Sequence, residues 1–325
     1  MNLGSMNLDC AAETARVAAW LAEVTSRQLH RRGLVVALSG GVDSSVCAGL
    51  AVTALGTTRV FGLCLPERES SEASLRLGRE VASTLGIEAL TEDITGTLEA
   101  LGCYRHRDAA YRDVFPEFGP GWKAKLAIAG GDQGMNFFHL VVRSPDGEER
   151  RERVPHRQYL QIVAAQNYKQ RVRKTVEYFH ADRLNYAVVG TPNRLEYDQG
   201  FFVKNGDGSA DVKPIAHLYK TQVYALARHL GLPEGVCSST PTTDTYTLAQ
   251  GQDEFYFALP YAQMDVALEA YGRGVPPAGL AALLGVSEDR AAFIYRDIEA
   301  KRDATRPLHS RALTIEPIAG VKPLG

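Results

Sequence analysis

An apolar run, Leu34-Val35-Val36-Ala37-Leu38, passes directly into Ser39-Gly40-Gly41-Val42-Asp43-Ser44-Ser45 and then into a second apolar stretch reaching Leu55. The first run reads as a buried strand and the stretch from Ser44 to Leu55 as a helix. The two glycines between them permit a tight turn and let the backbone approach a ligand closely. Free amide N–H groups at the helix start point at an anion. Ser39, Ser44 and Ser45 add hydroxyl donors. Asp43 would repel a phosphate unless a cation lies between them, which makes it a candidate Mg²⁺ ligand. The layout is one for binding phosphate, without the lysine of the G-x-x-x-x-G-K-[ST] loop.

The surrounding pattern extends this unit into a fold class. Val17, Trp20, Leu21 and Val24 recur at helical spacing and open the chain with an amphipathic helix. Arg59–Leu65 reads as a strand. Ser70–Leu85 reads as a helix with Ser70 or Ser71 as N-cap and Gly86 as its stop. Ile87–Leu90 and Tyr186–Val189 read as further strands. Such alternation implies a doubly wound α/β architecture, a parallel sheet with helices on both faces. Between about 103 and 155 no clean period appears, except a hairpin expected from Phe137–Arg143, Ser-Pro-Asp-Gly and Glu148–Val154. Helices are expected over Gln158–Phe179 and Leu218–Leu230, and a mostly helical part continues to about Ala304. Residues 1–325 are read as one domain with an inserted segment at about 103–157 and a helical subregion at about 253–304. Met1-Asn2-Leu3 is repeated after Gly4-Ser5, so residues 1–5 read as a cloning remnant.

Lys and Arg number 36 and Asp and Glu 38, a net charge of −2. That balance gives no case for nucleic acid or a basic membrane anchor. The longest uncharged apolar-rich stretch, Val46–Gly56, is far short of the ~20 residues that span a bilayer. Five scattered cysteines (Cys10, Cys47, Cys64, Cys103, Cys237) include no C-x-x-C pair and fit free thiols in a reducing compartment. With no secretory start, a cytoplasmic location is expected. His180, His217 and His229 show no metal spacing and read as polar groups of helices or loops. No Ser-His-Asp or Cys-His arrangement stands out.

A second constellation follows the strand at 186–189. It comprises Gly190-Thr191-Pro192-Asn193-Arg194-Leu195-Glu196, Gly200-Phe201-Phe202-Val203-Lys204-Asn205-Gly206-Asp207-Gly208, Asp211-Val212-Lys213-Pro214, and Leu218-Tyr219-Lys220. Loops after parallel strands line the ligand crevice of such sheets. Thr191, Glu196 and Lys204 are therefore expected near the Ser39–Ser45 loop. Glu196 can complete a Mg²⁺ site with Asp43, and Lys204 and Lys220 can neutralise phosphates.

The glycine loop resembles that of the ATP pyrophosphatases, a Rossmann-like group. The second constellation resembles the NAD⁺ synthetase branch, with its G-T-x-x-x-x-E, G-[FY]-F-T-K-x-G-D-G-x-x-D and P-[IL]-x-x-L-x-K strings. Asn167-Tyr-Lys-Gln-Arg171-Val-Arg173, Pro241-Thr242-Thr243-Asp244 and Asp253-Glu254 resemble further motifs of that family. The likeness covers about residues 11–90 and 160–302. It implies ATP contacts at Ala37, Leu38, Ser39, Gly40, Gly41, Val42, Asp43, Ser44, Thr191, Lys220 and Thr242. It implies Mg²⁺ on Asp43 and Glu196, and deamido-NAD⁺ contacts at Arg171, Lys204, Asp211 and Lys301. Lys204 and Lys220 would supply charge support in the transition state. The implied reaction converts the acid to an acyl-adenylate, which ammonia attacks; no protein nucleophile is needed.

The departures lie toward the acyl-substrate end. Val203 replaces a threonine, Gln170 and Thr243 replace alanines, Ser239 replaces a lysine, and Ala300 stands where His often precedes Lys-Arg. Only 38 residues precede Ser39, too few for the amidase domain of glutamine-using members. Ammonia is therefore expected from solution or from a separate supplier. A homodimer is the family expectation. Two alternatives are carried forward. One is a related ligase that amidates another carboxylate. The other is a nucleotide-binding regulator, suggested by the helix-turn-helix look of Ala281–Ala292 but opposed by its acidic residues.

Overall fold

The computed structural model describes residues 7–129, 137–239, 246–248, 256, 259–316, 318 and 320. Leu34 and Val36 of β1 (Leu34–Ala37) are buried on one side of a sheet and Val35 on the other, as strand geometry requires. β1 pairs in parallel with β2 (Val60–Cys64) and, across a long sequence separation, with β7 (Ala187–Val188), Leu34 opposite Ala187. β3 (Glu88–Thr91) flanks β2, giving the order β3-β2-β1-β7. A parallel bridge from Val189 to Val212 extends the sheet beyond β7.

One face of the sheet is covered by α1 (Cys10–Glu23), α2 (Val42–Leu55), α3 (Glu72–Leu85), α8 (Lys220–His229) and α9 (Glu234–Cys237). Val17, Leu21, Val46, Leu50, Val81, Val223 and Val236 pack there. The other face is covered by α4 (Thr95–Ala100), α5 (Cys103–Arg112) and α6 (His156–Leu184) through Leu98, Tyr104, Val172 and Ala181. Helices thus cover both faces of a parallel sheet, as the sequence pattern implies. No helix among the described residues is long and apolar enough to cross a membrane.

Three differences from the sequence expectations are informative. α6 runs 29 residues, starting after Pro155 and ending at Asn185, which is left-handed at φ +55°. The expected span of 158–179 was too short because Asn185, a C-terminal cap, is a weaker stop signal than glycine. α6 is about 44 Å long, enough to serve two layers. Its C-terminal half packs on the main sheet and its N-terminal half, through Ile162, on a second one. That second sheet contains the expected hairpin, β5 (Phe137–Arg143) and β6 (Glu149–Arg153), together with an unexpected strand, β4 (Lys123–Ala129). Ala124, Leu126, Leu140 and Val142 face a core shared with Tyr111, Phe115, Phe118 and Tyr246. Finally, the aperiodic region begins with α5, whose buried Arg107 and Tyr104 mask the helical period.

The C-terminal part is helical: α10 (Tyr261–Gly272), α11 (Pro277–Leu284) and α12 (Glu288–His309). α12 runs past the expected end near Ala304 and holds Pro307 in its last turn. α11, Gly285 at φ +67° and Ser287-capped α12 form the helix-turn-helix seen in the sequence. Leu280, Ala291, Ile294 and Ile298 bury its apolar side with Leu195 and Tyr219. α7 (Arg194–Gln199) lies under α12, held by Arg302 on Asp198 at 2.7 Å. The residues at 240–245 and 253–254 quoted from the sequence, Thr242 among them, lie outside the described residues, as do residues 1–5.

Candidate active site

β1 ends at Ala37, and buried Leu38 leads into the glycine turn. Gly40 has φ +80°, and a Cβ there would sit 2.4 Å from the Ser74 carbonyl oxygen of α3. The turn therefore admits only glycine at that position. Gly41 is the extended N-cap of α2. Its carbonyl accepts from Ser44 Oγ at 3.0 Å and Ser45 Oγ at 2.8 Å, and its N–H donates to Ser39 Oγ at 3.2 Å. Ser39 N donates to Ser44 Oγ at 3.3 Å. The serine hydroxyls thus build the turn.

The last turn before α7 places the second acid. Asn193 caps α7, its Oδ1 accepting from Leu195 N at 3.0 Å and Glu196 N at 3.1 Å, while Glu196 returns an oxygen to Asn193 N at 3.2 Å. This reciprocal box fixes the rotamer of Glu196. Asn193 Nδ2 also donates to Asp43 Oδ1 at 3.2 Å. Lys220, first residue of α8, donates its ammonium to Asp43 Oδ2. Residues from three separate elements therefore converge on one buried spot beside the glycine turn.

Three ionisable side chains share it. Lys220 is 3% exposed and faces two carboxylates. Burial, then the charge of Asp43, push the Glu196 carboxyl up to about 8, against the pull of Lys220 and the Asn193 amide. Burial acts to lower the Lys220 pKa, but Asp43 and Glu196 outweigh it and the net direction is upward. Ionising Glu196 would leave two carboxylates on one ammonium, a negative surplus that a bound divalent cation would relieve, so metal binding and loss of this proton favour each other. The donor set fits Mg²⁺, which takes one or two carboxylates plus substrate phosphates and water rather than an all-protein cage. Among the described residues no cluster of three or more His, Cys, Asp or Glu offers such a cage.

The other expected residues fall into place unevenly. Thr191 lies in the link between Val189 and the Asn193 cap. Arg171 of α6 donates to the Lys204 carbonyl at 3.3 Å, and Lys204 Nζ donates to the Pro307 carbonyl of α12 at 2.8 Å. Asp211 is exposed, yet its carboxylate is engaged by the backbone: it accepts from Val188 N at 2.7 Å and lies 3.5 Å from the Tyr178 hydroxyl. It shapes the edge of β7. Lys301 pairs with Asp297 at 2.5 Å and lies 5.0 Å from the Tyr256 ring. Burial lowers its pKa, with Asp297 opposing.

Two groups escaped the sequence reading. Asn193 joins both acids, and the N-x-x-E spacing of a capping box announced it. Asp265 of α10 is fully buried and accepts from Thr221 N at 2.9 Å, just behind Lys220; a lone acid between Met264 and Val266 gives no usable signal. A second buried network follows β2: Lys169 pairs with Glu67 at 2.8 Å and Glu69 at 2.7 Å, and Arg107 with Glu69 at 2.5 Å. A cavity of about 400 Å³ adjoins it, bounded by Arg107, Arg112, Phe118, Trp122 and Thr247.

Comparison with known proteins identifies the family. The NAD synthase family model matches residues 13–114 and 146–303, passing over the stretch that carries β4 and β5. An NH(3)-dependent NAD(+) synthetase of Rhizobium meliloti (strain 1021) is 54% identical over 323 residues, covering 98% of this chain and 96% of that protein. Two solved structures, NMN synthetase from Francisella tularensis and NH3-dependent NAD synthetase from Campylobacter jejuni, share the fold. Both have TM-score 0.63 and cover 95% of this chain, and the chain covers 99% and 100% of theirs, at 21% and 19% identity. The chain belongs to the NAD synthase family.

Proposed function

We propose that this protein makes NAD⁺ by amidating deamido-NAD⁺ with ammonia at the expense of ATP, releasing AMP and pyrophosphate. The observation that carries the reading is the meeting of Asp43, Glu196 and Lys220 beside the glycine turn, in a chain of this family. The amides of the turn at the start of α2 receive phosphate oxygens. Lys220 supports the negative charge that builds as the substrate carboxylate attacks the α-phosphate. Asp43 and Glu196 would hold Mg²⁺, which supplies charge neutralisation between the phosphates. Arg171, Lys204, Asp211 and Lys301 serve the dinucleotide, with Lys204 released from the Pro307 carbonyl to do so.

On this reading residues 1–325 act as one synthetase domain in the cytoplasm, fed by free ammonia or by a separate supplier. A homodimer is supported by Leu160 and Phe179 of α6, which are 52% and 62% exposed. The test is direct. Enzyme, ATP, Mg²⁺ and ammonium are mixed with deamido-NAD⁺, and NAD⁺ and AMP are measured in equal amounts. Glutamine should not replace ammonium. Binding of ATP without any amidation of deamido-NAD⁺ would transfer the reading to a ligase for another carboxylate. Val203, Ser239 and Ala300 would then be the first positions to examine.

A further inference from the structure

Behind α7 lies an open cavity of about 510 Å³ that the reaction proposed above does not use. Arg194, Tyr197 and Asp198 face it from α7, Lys213 and His217 from the loop before α8, and His309 from the last turn of α12. Positions 194, 197 and 198 share one side of a helix, whereas Glu196 points away from them into its box with Asn193. The family model ends at residue 303, so the His309 wall comes from chain beyond the match. The acids near the cavity are already engaged. Arg302 holds Asp198 through two contacts of 2.7 Å, and Glu13 meets Arg16 and His217, each at 2.6 Å. Arg194 is left 3.9 Å from the occupied Asp198. Lys213 is half-buried, its Nζ makes no hydrogen bond or ion pair among the described residues, and it lies 4.9 Å from the Tyr197 ring. Burial, then Lys174, lower its pKa, with Asp207 opposing. The His309 ring stands edge-on to Tyr197 at 4.9 Å and to Phe202 at 5.1 Å. Burial, then Lys213, lower its pKa, with Asp198 opposing.

Two cations without a carboxylate of their own call for an oxyanion, and a guanidinium fork beside an ammonium suits phosphate. The cavity is far larger than a phosphate ion and lies in the range of small-molecule sites. Tyr197 and Ala216 give it an apolar wall. We propose that this cavity is a second binding site, taking a phosphate monoester of nucleoside-monophosphate size, with Arg194 and Lys213 on the phosphate and Tyr197 beside the organic part. AMP, which the proposed reaction releases, belongs to that class. The occupant also bears on Lys204, whose Nζ donates to the carbonyl of Pro307, two residues before His309, at 2.8 Å. A ligand that draws His309 onto its phosphate steadies that turn and opposes the release of Lys204. This last step rests on the assignment of Lys204 to the dinucleotide; the site itself does not.

The experiment follows the His309 ring by NMR of histidine-labelled protein without acyl substrate, the resonance being assigned with His309→Gln. AMP should move the titration midpoint of His309 upward by roughly 0.5–1 in pH, because a dianion comes to stand beside the ring. Lys213→Met keeps the side-chain stem, which packs over Gly190. It should weaken AMP binding read in this way about 10–100-fold, for loss of one charged contact. Lys213→Arg should restore binding to within about threefold, and Lys220→Ala, at the ATP site, should leave it unchanged. Inorganic phosphate should bind more weakly than AMP, and adenosine should not move the midpoint. A His309 signal indifferent to AMP would overturn the proposal. So would a response that survives in folded Lys213→Met, or one lost in Lys220→Ala, which would place the AMP in the ATP site. Phosphate binding as tightly as AMP, or adenosine acting as AMP does, would overturn the ligand class. In turnover assays AMP should raise the KM for deamido-NAD⁺ more in wild type than in Lys213→Met, and equal rises would overturn the link to Lys204. Wild type that ignores deamido-NAD⁺ would overturn the substrate reading alone, since the NMR titration needs no acyl substrate.

Discussion

Asp265→Asn should make the protein more stable at neutral pH and change little in acid. Asp265 is wholly buried on α10, and one oxygen accepts from Thr221 N, while Oδ1 has no hydrogen-bond partner among the described residues. Burial raises its pKa from 3.8 to about 6, against the amides of Thr221 and Lys220, the Thr221 hydroxyl and the Lys220 charge. The native protein therefore keeps this proton up to about pH 6, whereas the unfolded chain releases it near 3.8. Within that window the native state binds the extra proton, so stability falls as pH rises. Above about pH 6 the accumulated loss is about 3 kcal/mol, from 1.36 kcal/mol per pH unit. Asparagine keeps the acceptor for Thr221 and cannot ionise. Any constant cost of its amide group applies at every pH, so the informative quantity is the change in the gap between variant and wild type. Melting curves from pH 4 to 7.5 should show the variant gaining by about 4–8 °C across that interval, given ~2–4 °C per kcal/mol for somewhat shorter chains. Parallel curves would show that Asp265 is charged at little cost, and the reasoning from burial would be wrong.

Asp43→Asn and Glu196→Gln should fold and lose pyrophosphate–ATP exchange dependent on the acyl substrate; near wild-type exchange in either variant would remove that residue from metal binding. Lys204→Ala should weaken use of deamido-NAD⁺ by about 10–100-fold with ATP little affected, and Lys220→Ala should show the opposite bias, read from paired saturation curves. Asp211→Ala should lower the melting temperature as well as activity, because its carboxylate holds Val188 N; a loss confined to activity would count against that structural role. Gly40→Ala should destabilise more than Gly86→Ala, by about 1–3 kcal/mol, since both are left-handed but only Gly40 meets a backbone oxygen; equal losses in denaturant titrations would show that the Ser74 contact relaxes.

The main sheet was legible because each of its strands is short and apolar, or bounded by a strong stop such as Gly86. The Asp43–Glu196–Lys220 cluster was legible because its residues sit where loops leave strands or where a helix begins. What could not be read depends on side chains whose partners are remote in sequence. β4 has alternating lysine and apolar residues, Lys123-Ala-Lys-Leu-Ala-Ile, but gains its place from β5 and from Thr247. Lys169 stands within a motif quoted from the sequence, yet its burial between Glu67 and Glu69 requires the loop after β2. Asp211 carries the family spacing, and nothing in that spacing reveals that its carboxylate holds the backbone of β7.

The pairing of β1 with β7 has a consequence for how the chain is made. Leu34 waits for Ala187, so at 5–20 residues per second one flank of β1 stays open on the ribosome for about 8–30 s. During that time a four-residue apolar strand with unpaired N–H and C=O groups is a template for another nascent chain. β2 can protect the opposite flank early, since Val60 follows Leu34 closely. The glycine turn can therefore form long before α7 and α8 deliver Glu196 and Lys220. Slower synthesis through residues 115–185 should increase the insoluble fraction of the product, while a lower growth temperature, which weakens apolar association, should reduce it.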